Sequence, residues 1–208
     1  MEIKDPRGIE KRSMEIISKE IGEMDCLFEE EAVIKRIIHS TADLDFAQLV
    51  TISPDAVKRG ISSLKGGASV VTDVSMVKAG VNKRVISKLG GRVITFIADR
   101  DIAELAKKEG VTRSIIAMRK AVKDKKNRIF LIGNAPTALF ELIRLVKEGL
   151  ADIDLIIGTP VGFVGASESK EELIKTDIPY ITVRGRKGGS PVAAAALNAI
   201  LYQISDSR

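Results

Sequence analysis

What most constrains this chain is an alternation that begins at Gln48. Six short runs rich in Val, Ile and Leu end in polar residues, Gly or Pro, and each is followed by a helical segment. The runs are Gln48–Ile52, Ser69–Thr72, Arg92–Ile97, Arg128–Ile132, Asp154–Ile157 and Tyr180–Val183. Most are near-continuous in apolar residues rather than alternating, which suits parallel strands covered on both faces. Helices often close on glycine before the next run, as at Gly66-Gly67 and Gly90-Gly91, because glycine readily takes the left-handed conformation that ends a helix. The pattern predicts an α/β fold: a doubly wound, mostly parallel sheet of about six strands with helices on both faces, after an N-terminal helical segment. No linker or low-complexity stretch divides the 208 residues, so 1–208 is expected to form one domain with ample length for a core.

The N-terminal segment reads as two helices. Asp5-Pro6 is a start signal, Ile9, Met14, Ile16, Ile17 and Ile21 form an apolar side, Ser13 lies within, and Gly22 ends the helix. Glu29-Glu30-Glu31 then opens the second helix at its positive end. Val33, Ile34, Ile37 and Ile38 recur at helical spacing and put His39 on the last turn, before Ser40, Thr41 and Asp43 break the pattern. His39 is the only histidine of the chain. A helix C-terminus favours the imidazolium, so a proton donor working near neutrality is expected there.

Composition removes several function classes. No apolar run is long enough to span a bilayer and no signal-peptide pattern is present, so no membrane role is expected. Cys26 is the single cysteine, which excludes an internal disulfide and a cysteine-based metal site, suits a reducing cytoplasm, and reads as a small buried apolar residue. One histidine and no clustered acids leave no metal site to assign. Net charge is +5, but the cations are dispersed, Trp is absent and aromatics are 4%, so a base-stacking nucleic-acid platform is not expected. The positive balance points instead to an anionic small molecule.

In an open parallel sheet, ligands bind beyond the carboxyl ends of the strands. Five segments would share that edge: Thr72-Asp73, Ala98 to Asp101, Gly133-Asn134-Ala135-Pro136-Thr137, Gly158 to Gly165, and Arg184-Gly185-Arg186-Lys187-Gly188-Gly189-Ser190-Pro191. The last opens a helix with Ser190 as N-cap and Pro191 at N1, and Thr112-Arg113-Ser114 opens another. Glycines admit close backbone approach, helix N-termini offer N–H groups, and arginine grips carboxylates with two hydrogen bonds. There is no Walker A motif, no G-x-G-x-x-G after the first run and no G-x-S-x-G elbow. The residues thus point to an α/β enzyme or binder for an anionic small molecule with one acid–base histidine, the reaction class staying open.

Longer strings narrow the field. Arg12-Ser13, His39-Ser40-Thr41-Ala42-Asp43, Ser53-Pro54, Thr72 to Val77, Thr112-Arg113-Ser114, Gly133 to Leu139, Gly158 to Val164, Glu168-Ser169-Lys170 and Arg184 to Ser190 together resemble the precorrin-8X methylmutase family, across nearly the whole chain. The resemblance implies an isomerase of cobalamin (vitamin B12) biosynthesis that moves a methyl group from C-11 to C-12 of precorrin-8X or cobalt-precorrin-8, giving hydrogenobyrinate or cobyrinate. It implies His39 as proton donor/acceptor, Ser13 and Arg113 as substrate contacts, no separate cofactor (cobalt being carried by the substrate), a cytoplasmic homodimer, and sites completed near the subunit interface. Thr72, Asp73, Asn134, Thr137, Arg184, Arg186, Gly188, Gly189 and Ser190 are candidates to hold the anionic tetrapyrrole. The loop Asp99-Arg100-Asp101 is more charged than the resemblance leads one to expect. Two rivals are a non-catalytic corrinoid carrier of the same fold, which has no need of His39, and a nucleotide-using Rossmann-like enzyme, which lacks its phosphate fingerprint.

Overall fold

The computed structural model describes residues 5–206. Three helices come first: α1 (Pro6–Ile21), α2 (Phe28–Thr41) and the single turn α3 (Phe46–Leu49). Then follow β1 (Val50–Ile52), α4 (Ala56–Lys65), β2 (Ser69–Thr72), α5 (Ser75–Gly80), α6 (Lys83–Lys88) and β3 (Val93–Ile94). The second half runs α7 (Arg100–Glu109), α8 (Arg113–Ala121), β4 (Asn127–Ile132), α9 (Pro136–Lys147), β5 (Leu155–Gly158), α10 (Ala166–Ile174), β6 (Tyr180–Val183) and α11 (Ser190–Asp206).

The six strands form one sheet in the order β1-β6-β5-β4-β2-β3. All pairings are parallel except β1 with β6, where Val50 opposes Val183 and Ile52 opposes Ile181. Two of the expected runs shorten. Gln48 belongs to α3 rather than to a strand, and β3 keeps only two residues of Arg92–Ile97. β3 is an outer strand with a partner on one side, so little holds the chain in the sheet beyond Ile94. β1 is antiparallel because α2 delivers the chain to the carboxyl edge, and a short strand leaving that edge runs back down the sheet.

Successive residues of each strand feed opposite cores, as the pleat requires. Val70, Ile129, Leu131, Leu155, Ile157 and Ile181 pack with α2, α4, α5, α6 and α11. Val71, Phe130, Ile132, Ile156 and Tyr180 pack with α7 to α10. The near-continuous apolar runs are thus explained: both faces are dry.

The glycine pairs serve a close approach as well as termination. Gly67 and Gly90 take φ of 84° and 87°, and a Cβ on Gly91 would lie 2.2 Å from the Ala68 carbonyl oxygen. The two helix-to-strand turns therefore abut at the amino edge of the sheet. Cys26 is half-buried beside the first core, less enclosed than its residue type suggested, and burial pushes its thiol up.

Candidate active site

The chain adds β3 to one side of β2 and β4 to the other, so the strand order reverses between β2 and β4. Such a switch point is the usual ligand crevice of an open α/β sheet. Here the chain fills it with its own anion. Asp73 is fully buried, and its carboxylate accepts hydrogen bonds from the backbone N–H groups of Gly133 (3.2 Å), Asn134 (2.8 Å) and Ala135 (2.8 Å). Burial pushes the Asp73 carboxyl up, and the three donors oppose it. Thr72 is buried too, and its hydroxyl donates to the Val74 carbonyl. Of the two residues expected to meet a ligand, Asp73 holds the Gly133–Ala135 turn, whose N–H groups are thereby occupied, and Thr72 bonds the Val74 and Ile94 carbonyls.

α2 is rotated by its apolar side. Val33, Ile34, Ile37 and Ile38 are at most 5% exposed and pack against α11, each worth about 1.5–3 kcal/mol of burial. The residue after them, His39, is turned outward and exposed. The helix end beneath it is well satisfied. Ser40 and Thr41 hydroxyls donate to the Ile37 carbonyl (2.8 and 3.0 Å), and the N–H of Ala42 donates to Ile38.

One cation joins this helix end to the last glycine turn. Lys187 Nζ lies 2.6 Å from Asp43 Oδ2 and 2.6 Å from Asp45 Oδ2. Its two carboxylate partners raise the lysine, and it lowers Asp43 in return. His39, four residues before Asp43, is therefore held at the same edge as Arg184, Arg186 and Gly188. Within that turn the Gly189 N–H donates to the Thr159 carbonyl at 2.7 Å, so it is not offered to a ligand. Gly188, at φ 148°, would place a Cβ 2.4 Å from the same oxygen, so no other residue fits without a shift. The helix begins at Ser190, with the Gly189 carbonyl taking the first intrahelical bond from Ala193; Ser190 is thus N1 rather than N-cap, and it is buried.

The other expected residues divide by exposure. Arg184 is exposed, 3.5 Å from Glu171. Arg186 is exposed over the Phe163 ring, 5.4 Å from its centroid. The Asn134 side chain is exposed, and the Thr137 hydroxyl meets that of Thr112 at 3.0 Å, locking α9 to the start of α8. Arg113 is exposed at the first residue of α8, across the sheet from His39: α8 packs in the second core and α2 in the first. Ser13 is half-buried on α1 with its hydroxyl on the Ile9 carbonyl (2.9 Å). Its helix is tied to α2 by Glu10 and Arg36 (2.6 Å), and no hydrogen bond among the described residues joins Ser13 to His39.

Two features were not legible in the sequence, and a third was visible there but unexplained. Met76, Phe163 and Val164 are 70–89% exposed on the same edge, an apolar rim beside the arginines. Their signal was apolar bulk just past the strand ends, Met76 in the first turn of α5 and Phe163 and Val164 in the loop before α10. Lys170, by contrast, is wholly buried in α10, with its ammonium 2.6 Å from the Lys187 carbonyl oxygen. The charged loop Asp99–Asp101 has a structural account: Lys120 Nζ sits 2.8 Å from Asp99 and 2.7 Å from Asp101, tying the start of α7 to α8. Among the described residues no three His, Cys, Asp or Glu side chains cluster as metal ligands, and no helix is long and apolar enough to cross a membrane.

An exposed helix-end histidine, exposed arginines and an apolar rim thus share the carboxyl edge of a doubly wound α/β sheet. Residues 8–203 match the family model described as precorrin-8X methylmutase. The cobalt-precorrin-8 methylmutase of Priestia megaterium is 51% identical over 94% of this chain and 87% of its own length. The precorrin-8X methylmutase of Pseudomonas aeruginosa is 38% identical over 95% of this chain and 96% of its own. A crystal structure of the precorrin-8X methylmutase of Thermus thermophilus superposes with a TM-score of 0.88 at 33% identity, covering 97% of each chain. The chain belongs to the precorrin-8X methylmutase family and is a methyl-transferring isomerase of cobalamin biosynthesis.

Proposed function

We propose that this protein moves a methyl group from C-11 to C-12 of precorrin-8X or cobalt-precorrin-8, with His39 as the proton donor/acceptor. The observation that carries the assignment is the Lys187 bridge, which holds the His39 helix end against the cationic turn of the carboxyl edge. The shift is an isomerisation: the C-11–methyl bond breaks, the C-12–methyl bond forms, and no atom is gained or lost overall. Protonation of the macrocycle by His39 eases migration, and return of that proton completes the balance. Acidic arms of the substrate suit Arg113, Arg184 and Arg186, while Met76, Phe163 and Val164 suit the apolar faces of a large ring. Firm anchoring matters because a loosely held macrocycle can rearrange along other paths.

Ser13 enters as a substrate contact through the family resemblance, and its hydroxyl must leave the Ile9 carbonyl or share its bond to serve. The reaction needs no separate cofactor, since any cobalt arrives within the substrate. The working form is a cytoplasmic homodimer; His39 and Arg113, carried on opposite faces of one sheet, accord with sites completed by a second copy. A pure carrier has no use for the histidine, and the relatives are named as mutases. The test is incubation with precorrin-8X and with cobalt-precorrin-8, followed by NMR of the extracted ring. A methyl group at C-12 is expected from at least one of them; recovery of both unchanged contradicts the assignment.

A further inference from the structure

Lys170 lies deepest among the described cations of the carboxyl edge. It is 0% exposed, and within the described residues its ammonium meets one acceptor, the Lys187 carbonyl oxygen, and no carboxylate. Lysines are almost never fully buried unless paired, because taking a charge out of water without a counter-charge is strongly unfavourable. Among the described residues, the surrounding groups supply none in direct contact. Glu171, next in the chain, is partly exposed and lies 3.5 Å from Arg184, so it attracts Lys170 through space without a direct bond. Lys187 directs its own ammonium to Asp43 and Asp45. Tyr180 of β6 has its phenol pushed up by burial and so stays neutral. Glu141 of α9 is bound by Arg119 and Arg144. The start of α11 adds the positive end of a helix, and Arg184 and Arg186 stand beside it. Glu171 apart, the charges around this locus are thus positive, while the Asp43 and Asp45 charges are already matched to Lys187.

We propose that Lys170 is a positioning residue for a ligand carboxylate: it holds the Lys187 carbonyl, and through it the Arg184–Ser190 turn, and its charge is balanced when an acidic arm occupies that turn. The inference rests on the function proposed above, which supplies a polyanionic ring as ligand. It explains why a lysine rather than an apolar residue or a neutral amide fills this place. A methionine would fill the volume, but it would neither hold the carbonyl nor add to the field felt by an anion.

Burial pushes the free Lys170 down to about 8, with Glu171 opposing. A bound carboxylate favours the charged form, so binding takes up a proton above that pH. The test is titration of the full-length protein with hydrogenobyrinate, read by its visible spectrum, from pH 7 to 9. Wild-type affinity is expected to fall about tenfold between pH 7 and pH 9, with uptake of about one proton per site at pH 9 in weak buffer. Lys170→Met is expected to bind roughly tenfold more weakly at pH 7 and to lose the pH dependence. A flat wild-type profile without proton uptake overturns the inference even if the variant proves unstable, as does an unchanged slope in Lys170→Met. Failure of hydrogenobyrinate to bind at any pH overturns the proposed ligand, and this inference with it.

Discussion

The two edges of the sheet use their charges in opposite ways. At the amino edge Arg128 grips Asp154 with two hydrogen bonds (3.0 and 2.7 Å), also meets Asp152, and Ser63 donates to Asp154 at 2.7 Å. The hollow beside it, about 360 Å³, is lined by Lys123, Lys125, Asp124 and Asp152, charges of both signs. At the carboxyl edge, Arg113 and Arg186 have no carboxylate partner among the described residues, Lys170 is buried on a carbonyl, and Phe163 and Val164 face water. Charges satisfied within the chain hold the fold. Cations and apolar groups left unmatched on one edge mark where an anionic, apolar partner belongs.

That contrast is open to attack at both edges. The largest effect is expected from Asp73→Ala, which strands three N–H donors, those of Gly133 and Ala135 buried: a loss of about 3–5 kcal/mol in urea unfolding, together with loss of ring binding. A stable, fully active variant would break the claim that the switch point is filled from within. Next, Lys170→Met is expected to raise stability at pH 7 by about 2 kcal/mol, the reverse of its effect on binding. The sign follows from burial. The folded value, about 8, lies below that of the unfolded chain, so the penalty is full below pH 8 and fades as pH rises through it. The stability gap between variant and wild type should therefore close in alkaline solution.

Arg113→Ala is expected to weaken hydrogenobyrinate binding by about tenfold while leaving unfolding unchanged, and added salt should shrink the difference. Arg128→Ala should do the converse, costing about 1 kcal/mol of stability with binding intact. Arg128 lowers Asp154, so this contribution is present above the ordinary carboxylate range and is lost as pH falls through the folded value. The two curves should therefore converge in acid. If Arg128→Ala impairs binding instead, the division between edges fails.

Much of this was legible in the residues. Ser69–Thr72 and Tyr180–Val183 are strands with the expected bounds, and the others shift by a residue or shorten at the sheet margins. Doubly covered parallel strands leave an unmistakable apolar signature. The direction of β1 was not legible, because a three-residue run carries no sign of which way it will pair. His39 at a helix end followed from local spacing. Its link to the glycine turn did not, since Lys187 and Asp43 are 144 residues apart and each alone reads as a solvated charge. The fate of Asp73 and of the Gly189 N–H was hidden for the same reason: free and occupied donors look identical in sequence. Lys170 was hidden because its residue type argues for the surface.

The central claim, that the carboxyl edge catalyses methyl migration through His39, is tested most directly by single-turnover spectra. Wild type and His39→Ala are mixed in excess with precorrin-8X or its cobalt form, and the visible band is followed as the ring's conjugation changes. Both proteins are expected to perturb the substrate spectrum on binding. Only wild type should then convert it at speed, with the variant slower by roughly 10²–10⁴-fold. Conversion by His39→Ala at the wild-type rate would contradict the account.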